Sequence, residues 1–151
     1  MNKLKIYLPS VLIPLLSGVV VGLITAGSND YERLNQPALA PPGIIFPIAW
    51  TILYVLMGLG YGLLIDNNKA DNGVTAVYYV QLIVNLLWPV AFFVFKWRLF
   101  AFIWILLLDV LVIIMAYKFF KRIPLAGYMQ IPYILWVLFA SYLNIAVYYL
   151  N

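Results

Sequence analysis

Five apolar runs divide this 151-residue chain almost from end to end: Ile6–Ala26, Ile44–Ile65, Val74–Phe95, Leu99–Tyr117 and Leu125–Leu150. Each reaches the ~20 residues that carry a helix across the hydrocarbon of a bilayer. In that medium each backbone N–H and C=O must be satisfied internally, and for runs of this length the helix does so. The expected fold is therefore an all-α membrane protein, a single domain over residues 1–151 built as a bundle of five transmembrane helices. Composition agrees. With 66% of residues hydrophobic and 9% charged, against about 25% charged in a soluble domain, the chain has too few charges for a water-facing surface.

Short connections at Asp66–Gly73, Lys96–Arg98 and Lys118–Pro124 make consecutive helices antiparallel neighbours. The first loop differs. It runs from Gly27 to Gly43, carries Asp30, Glu32, Arg33, Pro37, Pro41 and Pro42, and is long enough to act as a lid over one mouth of the bundle. A plain solvated connector is the alternative. The N-terminal Met-Asn-Lys-Leu-Lys looks like the start of a signal peptide, but the apolar run behind it lacks an Ala-x-Ala site and has the length of a retained helix. Five crossings put Lys3, Lys5, Lys69, Lys118, Lys121 and Arg122 on one side and Arg33, Lys96 and Arg98 on the other. The positive-inside rule then predicts a cytoplasmic N-terminus, with the first loop outside a bacterial cell membrane.

The formal charge of +4 does not point to nucleic acid, because the basic residues sit at the ends of apolar runs rather than on one solvated face. The chain has no Cys and no His. It therefore lacks disulfides, thiolate nucleophiles, and the commonest general base and metal ligand.

Polar side chains inside hydrocarbon are expensive, so Gln81, Asn85, Asp109, Gln130 and Asn144 are expected to face the bundle interior. In the third segment Gln81, Asn85, Trp88 and Phe92 follow spacings of four, three and four, which puts them on one helical stripe. In the fifth, Pro132, Trp136, Ala140 and Leu143 or Asn144 form a second stripe. Facing each other, the stripes would enclose a cavity with flat aromatic walls and a few amides, the general form of a small-molecule pocket. The alternative is interhelical glue, with amides bonding across helices and rings packing. Trp97, between Lys96 and Arg98, reads as an interfacial anchor; Trp50, Trp88 and Trp136 lie deeper. Asp109 has no cationic partner nearby in sequence and is expected to be protonated or hydrogen-bonded within the bundle. Gly18 and Gly22, like Gly58 and Gly62, have small-xxx-small spacing, which suits close packing inside the bundle or a homodimer.

Two long motifs resemble the TspO/MBR family, the tryptophan-rich sensory and translocator proteins, also called peripheral-type benzodiazepine receptors. One is Tyr31-x-x-Leu34-x-x-Pro37-x-x-x-Pro41-Pro42-x-x-x-Phe46-x-x-x-Trp50-x-x-Leu53-Tyr54-x-x-Met57-Gly58. The other is Leu125-Ala126-Gly127 followed by Pro132-Tyr133-x-x-Trp136-x-x-Phe139-Ala140-x-Tyr142-Leu143-Asn144. Between them, Asn85-Leu86-Leu87-Trp88-Pro89-x-x-Phe92-Phe93 is similar to the family's third-helix segment.

The resemblance implies a five-helix bundle, often dimeric, that binds hydrophobic small molecules: porphyrins such as protoporphyrin IX and haem, and in some members sterols. It places the pocket under the first loop. Carried over by position, the lining would include Tyr31, Trp50, Asn85, Trp136, Ala140 and Leu143, with Tyr54, Trp88, Phe92, Phe139 and Asn144 close by. No cofactor is required on this reading; the porphyrin is a ligand. The chain departs from the family where it has Asp30 in place of a tryptophan before Tyr31 and Leu39 in place of one before the Pro-Pro pair. No basic residue follows the tyrosines of Tyr148-Tyr149-Leu150-Asn151, which makes sterol a weaker candidate than porphyrin. Without His or Cys the usual axial ligands of haem are missing, so metal-free porphyrin is favoured. The leading expectation is a tetrapyrrole-binding sensor or carrier. Light- and oxygen-dependent porphyrin breakdown, suggested for the family, and porphyrin transport are the alternatives. Neither an acid/base pair nor an inverted repeat supports them.

Overall fold

The structure is a computed structural model that describes residues 2–151, and among these all regular structure is helical. Helices α1 (Lys3–Thr25), α2 (Ile45–Asp66), α3 (Asn72–Pro89), α4 (Arg98–Arg122), α5 (Pro124–Tyr128) and α6 (Ile131–Leu150) follow in chain order. Five helical stretches, the last made of α5 and α6, are long and apolar enough to cross a membrane. The predicted five-helix membrane bundle is thus present, with three local differences.

The third run is not one regular helix. Pro89 has no N–H to return to the preceding turn, and beyond it the chain widens into a π-helical turn, Val90–Val94. The Phe95 N–H reaches back to the Val90 carbonyl at 3.0 Å. The fourth run extends through Lys118, Lys121 and Arg122, read above as loop; long basic side chains are good helix formers and favour a C-terminal turn. The fifth run breaks at Met129 and Gln130. Pro124 opens α5 and Pro132 sits in the first turn of α6, the places where a missing N–H costs least.

Helix α1 packs along α2, α2 touches α5, α4 packs against α5, α6 and α3, and α3 returns to α1, closing a ring. The ring is filled at one end. Met57, Leu64, Val74, Met115 and Phe119 are wholly buried there, and Tyr61 and Tyr78 stack with centroids 4.1 Å apart. At the other end, beneath the first loop, it is hollow.

The α1–α2 seam explains three of the four spaced glycines. A Cβ on Gly58 would run into the Ser10 carbonyl, one on Gly18 into the Tyr54 ring, and one on Gly62 into the Tyr7 ring, whereas Gly22 faces open space. Gln81, Asn85, Asp109, Gln130 and Asn144 are all buried, as expected of polar side chains in hydrocarbon. Asp109 accepts a hydrogen bond from the Ser141 hydroxyl at 2.7 Å, across the α4–α6 seam.

The first loop is tied down along its length. Arg98 donates to both Asp30 carboxylate oxygens at 2.7 Å, and the Lys96 ammonium lies 3.3 Å from one of them. The Tyr142 hydroxyl donates to the Ala38 carbonyl at 2.7 Å. Asn35 and Asn151 exchange backbone and side-chain hydrogen bonds at 3.1 and 3.0 Å.

Candidate functional site

The hollow end of the ring is a cavity of about 750 Å³, within the range that binds drug-sized molecules. Nine of the eleven residues carried over from the family resemblance line it: Tyr31 from the loop, Trp50 and Tyr54 from α2, Asn85 and Trp88 from α3, Phe92 from the π turn, and Ala140, Leu143 and Asn144 from α6. The other two do not. Trp136 sits behind the wall, edge-on to Phe46 at 5.7 Å and to Trp50 at 6.4 Å between centroids, and Phe139 packs against Trp136 from further out. Helical spacing puts Trp136 on the same stripe as Ala140, but Trp50 from the neighbouring helix covers it, which one helix's periodicity cannot register.

The expected geometry of two facing stripes needs a second correction. Helices α3 and α6 are linked by side chains, and α1 supplies a wall that the stripes did not include: Leu15, Gly18, Val19, Gly22 and Thr25. These small and aliphatic residues carry no chemical signal. Their contribution is shape: Gly22 faces open space, and Gly18 lets the Tyr54 ring lie against the helix. Phe46, Phe93, Ile105, Leu108 and Val147 also line the cavity without having been singled out. The wide π turn lets two consecutive rings, Phe92 and Phe93, both border it.

Its walls are mainly flat and apolar. Trp50 and Tyr54 stack at 5.7 Å with 29° between planes, Trp88 and Phe92 at 4.8 Å with 24°. Stacked and edge-on ring pairs hold one another in fixed orientations, so these faces are set before any ligand arrives. The amides are less available than their number suggests. Tyr54 donates to Asn85 Oδ1 at 2.7 Å, Asn85 Nδ2 donates to the Tyr133 hydroxyl at 2.6 Å, and Tyr133 donates to Gln81 Oε1 at 2.8 Å. Asn144 accepts from the Trp88 indole N–H at 2.9 Å and donates to the Arg98 carbonyl at 2.8 Å. Both Asn85 and Asn144 border the cavity, yet each already ties helices together, so the glue and lining readings hold for the same residues.

Over the mouth, Tyr31 is buried and its hydroxyl donates to the Pro41 carbonyl at 2.6 Å, while its ring meets Phe46 edge-on at 4.8 Å. Burial, with the Glu32 charge beside it, pushes the Tyr31 phenol above its ordinary value. For Asp30, burial pulls upward, but the hydrogen bonds and charges of Arg98 and Lys96 outweigh it and hold the carboxyl below the usual range. No group of three or more metal-ligating side chains occurs among the described residues. The cavity presents flat aromatic faces, and among the described residues that line it only Glu32 is charged.

The TspO/MBR family profile matches residues 10–150. The chain is 35% identical to the tryptophan-rich protein TspO of Archaeoglobus fulgidus, with 100% of this chain and 99% of that protein aligned. It is 33% identical to the tryptophan-rich sensory protein of Cereibacter sphaeroides, over 86% and 82% of the two chains. To the translocator protein of Sus scrofa it is 28% identical, over 93% and 89%.

Proposed function

The chain belongs to the TspO/MBR family, and from that premise we propose that its cavity binds a flat, largely apolar macrocycle of the tetrapyrrole class, acting as a sensor or carrier within the membrane. The observation that carries this reading is the cavity itself: about 750 Å³ beneath a pinned loop, walled by the stacked pairs Trp50–Tyr54 and Trp88–Phe92. Offset stacking on such faces favours extended π systems, and burial of a large apolar ligand supplies most of the affinity. A metal-free macrocycle of the protoporphyrin IX type is favoured over its iron complex, haem, because a chain without His or Cys lacks the usual axial ligands for iron. The protein is a multi-pass integral membrane protein. We place it in the cell membrane with its N-terminus in the cytoplasm and the cavity mouth outside, from the excess of Lys and Arg on the side away from the first loop.

The test is quenching of tryptophan fluorescence by protoporphyrin IX in nonionic detergent. Ala140, buried on the cavity wall, is replaced by Phe to fill the space. The expected result is saturable binding that Ala140→Phe weakens by about tenfold or more, the equivalent of roughly 1.4 kcal/mol, while the thermal unfolding midpoint is retained. Quenching that is linear in porphyrin and unaffected by Ala140→Phe would mean partition into the micelle and would remove the proposal.

A further inference from the structure

The charges around the cavity carry an inference about which tetrapyrroles it accepts, one that rests on the reading above. Among the described residues that line the cavity, Glu32 is the only charged one. Its Oε1 accepts the Gly43 N–H at 3.2 Å, and the carboxylate lies so close to that backbone that a Cβ on residue 43 would collide with it. No lysine or arginine lies within ion-pair distance of it among the described residues. Beside it are the rings of Tyr31 and Phe46, which also line the cavity.

The cations of the same rim are committed elsewhere. Arg98 and Lys96 both bond Asp30, and the Arg98 guanidinium lies over the Phe92 ring at 5.0 Å. Arg33 is exposed and lies outside the lining. An anionic substituent at this end of the cavity would meet the Glu32 charge, while Arg98 and Lys96 are already shared with Asp30. An ammonium group would meet a carboxylate, and the Coulomb attraction between them favours it.

We propose that the cavity selects its ligand by charge, favouring macrocycles whose polar edge at the loop is neutral or cationic over dicarboxylates, with Glu32 as the specificity-determining residue. Glu32 lies at an exposed mouth, where water and salt screen its field, so the discrimination is about tenfold or less and is largest at low ionic strength.

The test uses three forms of one macrocycle: protoporphyrin IX as the dicarboxylate, its dimethyl ester, and its diamide bearing two dimethylammonium arms. Each is titrated at low salt in nonionic detergent against the full chain and against Glu32→Gln and Glu32→Lys. Comparing ratios between variants in one detergent cancels the different micelle partition of the three forms, and glutamine keeps an oxygen for the Gly43 N–H. In the unsubstituted chain the cationic form is expected to bind about five- to tenfold more tightly than the dicarboxylate. The ratio should shrink in Glu32→Gln and reverse in Glu32→Lys. The same order in all three proteins, with unfolding midpoints retained, would overturn the charge selection and leave the tetrapyrrole reading standing. If none of the three forms binds saturably, the tetrapyrrole reading falls and takes this inference with it.

Discussion

At Asp30 a single carboxylate ties the first loop to the head of α4. The carboxylate accepts from Arg98 twice at 2.7 Å and pairs with Lys96 at 3.3 Å. Because its folded-state value is lowered, this tether contributes fully above the unfolded carboxylate value of about 3.9 and is lost as pH falls through the lower folded value. Limited proteolysis of the first loop should therefore be slow from neutral pH down to about 4 and rise in more acid solution. In Asp30→Asn it should be faster at neutral pH and show no such acid step. A parent chain cut at the same rate throughout this range would show that the ion pair does not hold the loop. Asp30 also marks what residue-level reading could see. The break between apolar runs from Gly27 to Gly43 placed it in the first loop, and the buried amides were recognisable because hydrocarbon makes each one conspicuous. Its partners Lys96 and Arg98 lie more than sixty residues away, and no local pattern connects them.

Among the elements, α1 was the least legible. It has no amide and no ring on its cavity face, and its contribution is the space left by Gly22 and the close seat of the Tyr54 ring on Gly18. Its seam with α2 supplies a sharp test of the packing. Gly58→Ala pushes a methyl group into the Ser10 backbone, which cannot yield as a flexible side chain would. It should cost about 1–3 kcal/mol of stability, whereas Gly22→Ala, facing open space, should cost almost nothing. Equilibrium unfolding in mixed micelles compares the two; equal midpoints would mean that α1 and α2 can separate without penalty. Elsewhere the elements followed their signals. The five runs were plain from length and hydropathy, whereas the π turn after Pro89 and the break before Pro132 were visible only as prolines. A proline shows that the regular ladder must fail, but the chain around it decides how.

Over the whole molecule, the fold was legible because hydrocarbon leaves few alternatives, and the orientation proposed above rests on six basic residues on one side against three on the other. The absence of cysteine makes that arrangement easy to probe. In intact cells a membrane-impermeant maleimide should label Ala38→Cys, on the first loop, and should reach Asn72→Cys, on the opposite side, only after permeabilisation. The reverse pattern would invert the orientation proposed here. The cavity was legible as a stripe of rings and amides. Its enclosure by α1, and the screening of Trp136 by Trp50, depend on how helices rotate against one another. Time adds a last consequence. The first loop leaves the ribosome well before the groups that fasten it: Arg98 at the head of α4, Tyr142 within α6 and Asn151 beyond it. Until the final span has been inserted, the loop has no anchor on α6 and the cavity lacks its Ala140 wall, so a nascent chain holding four helices exposes its aromatic rings to lipid. The compartment is completed only once α6 is in place, and a ligand can be enclosed in it only after that.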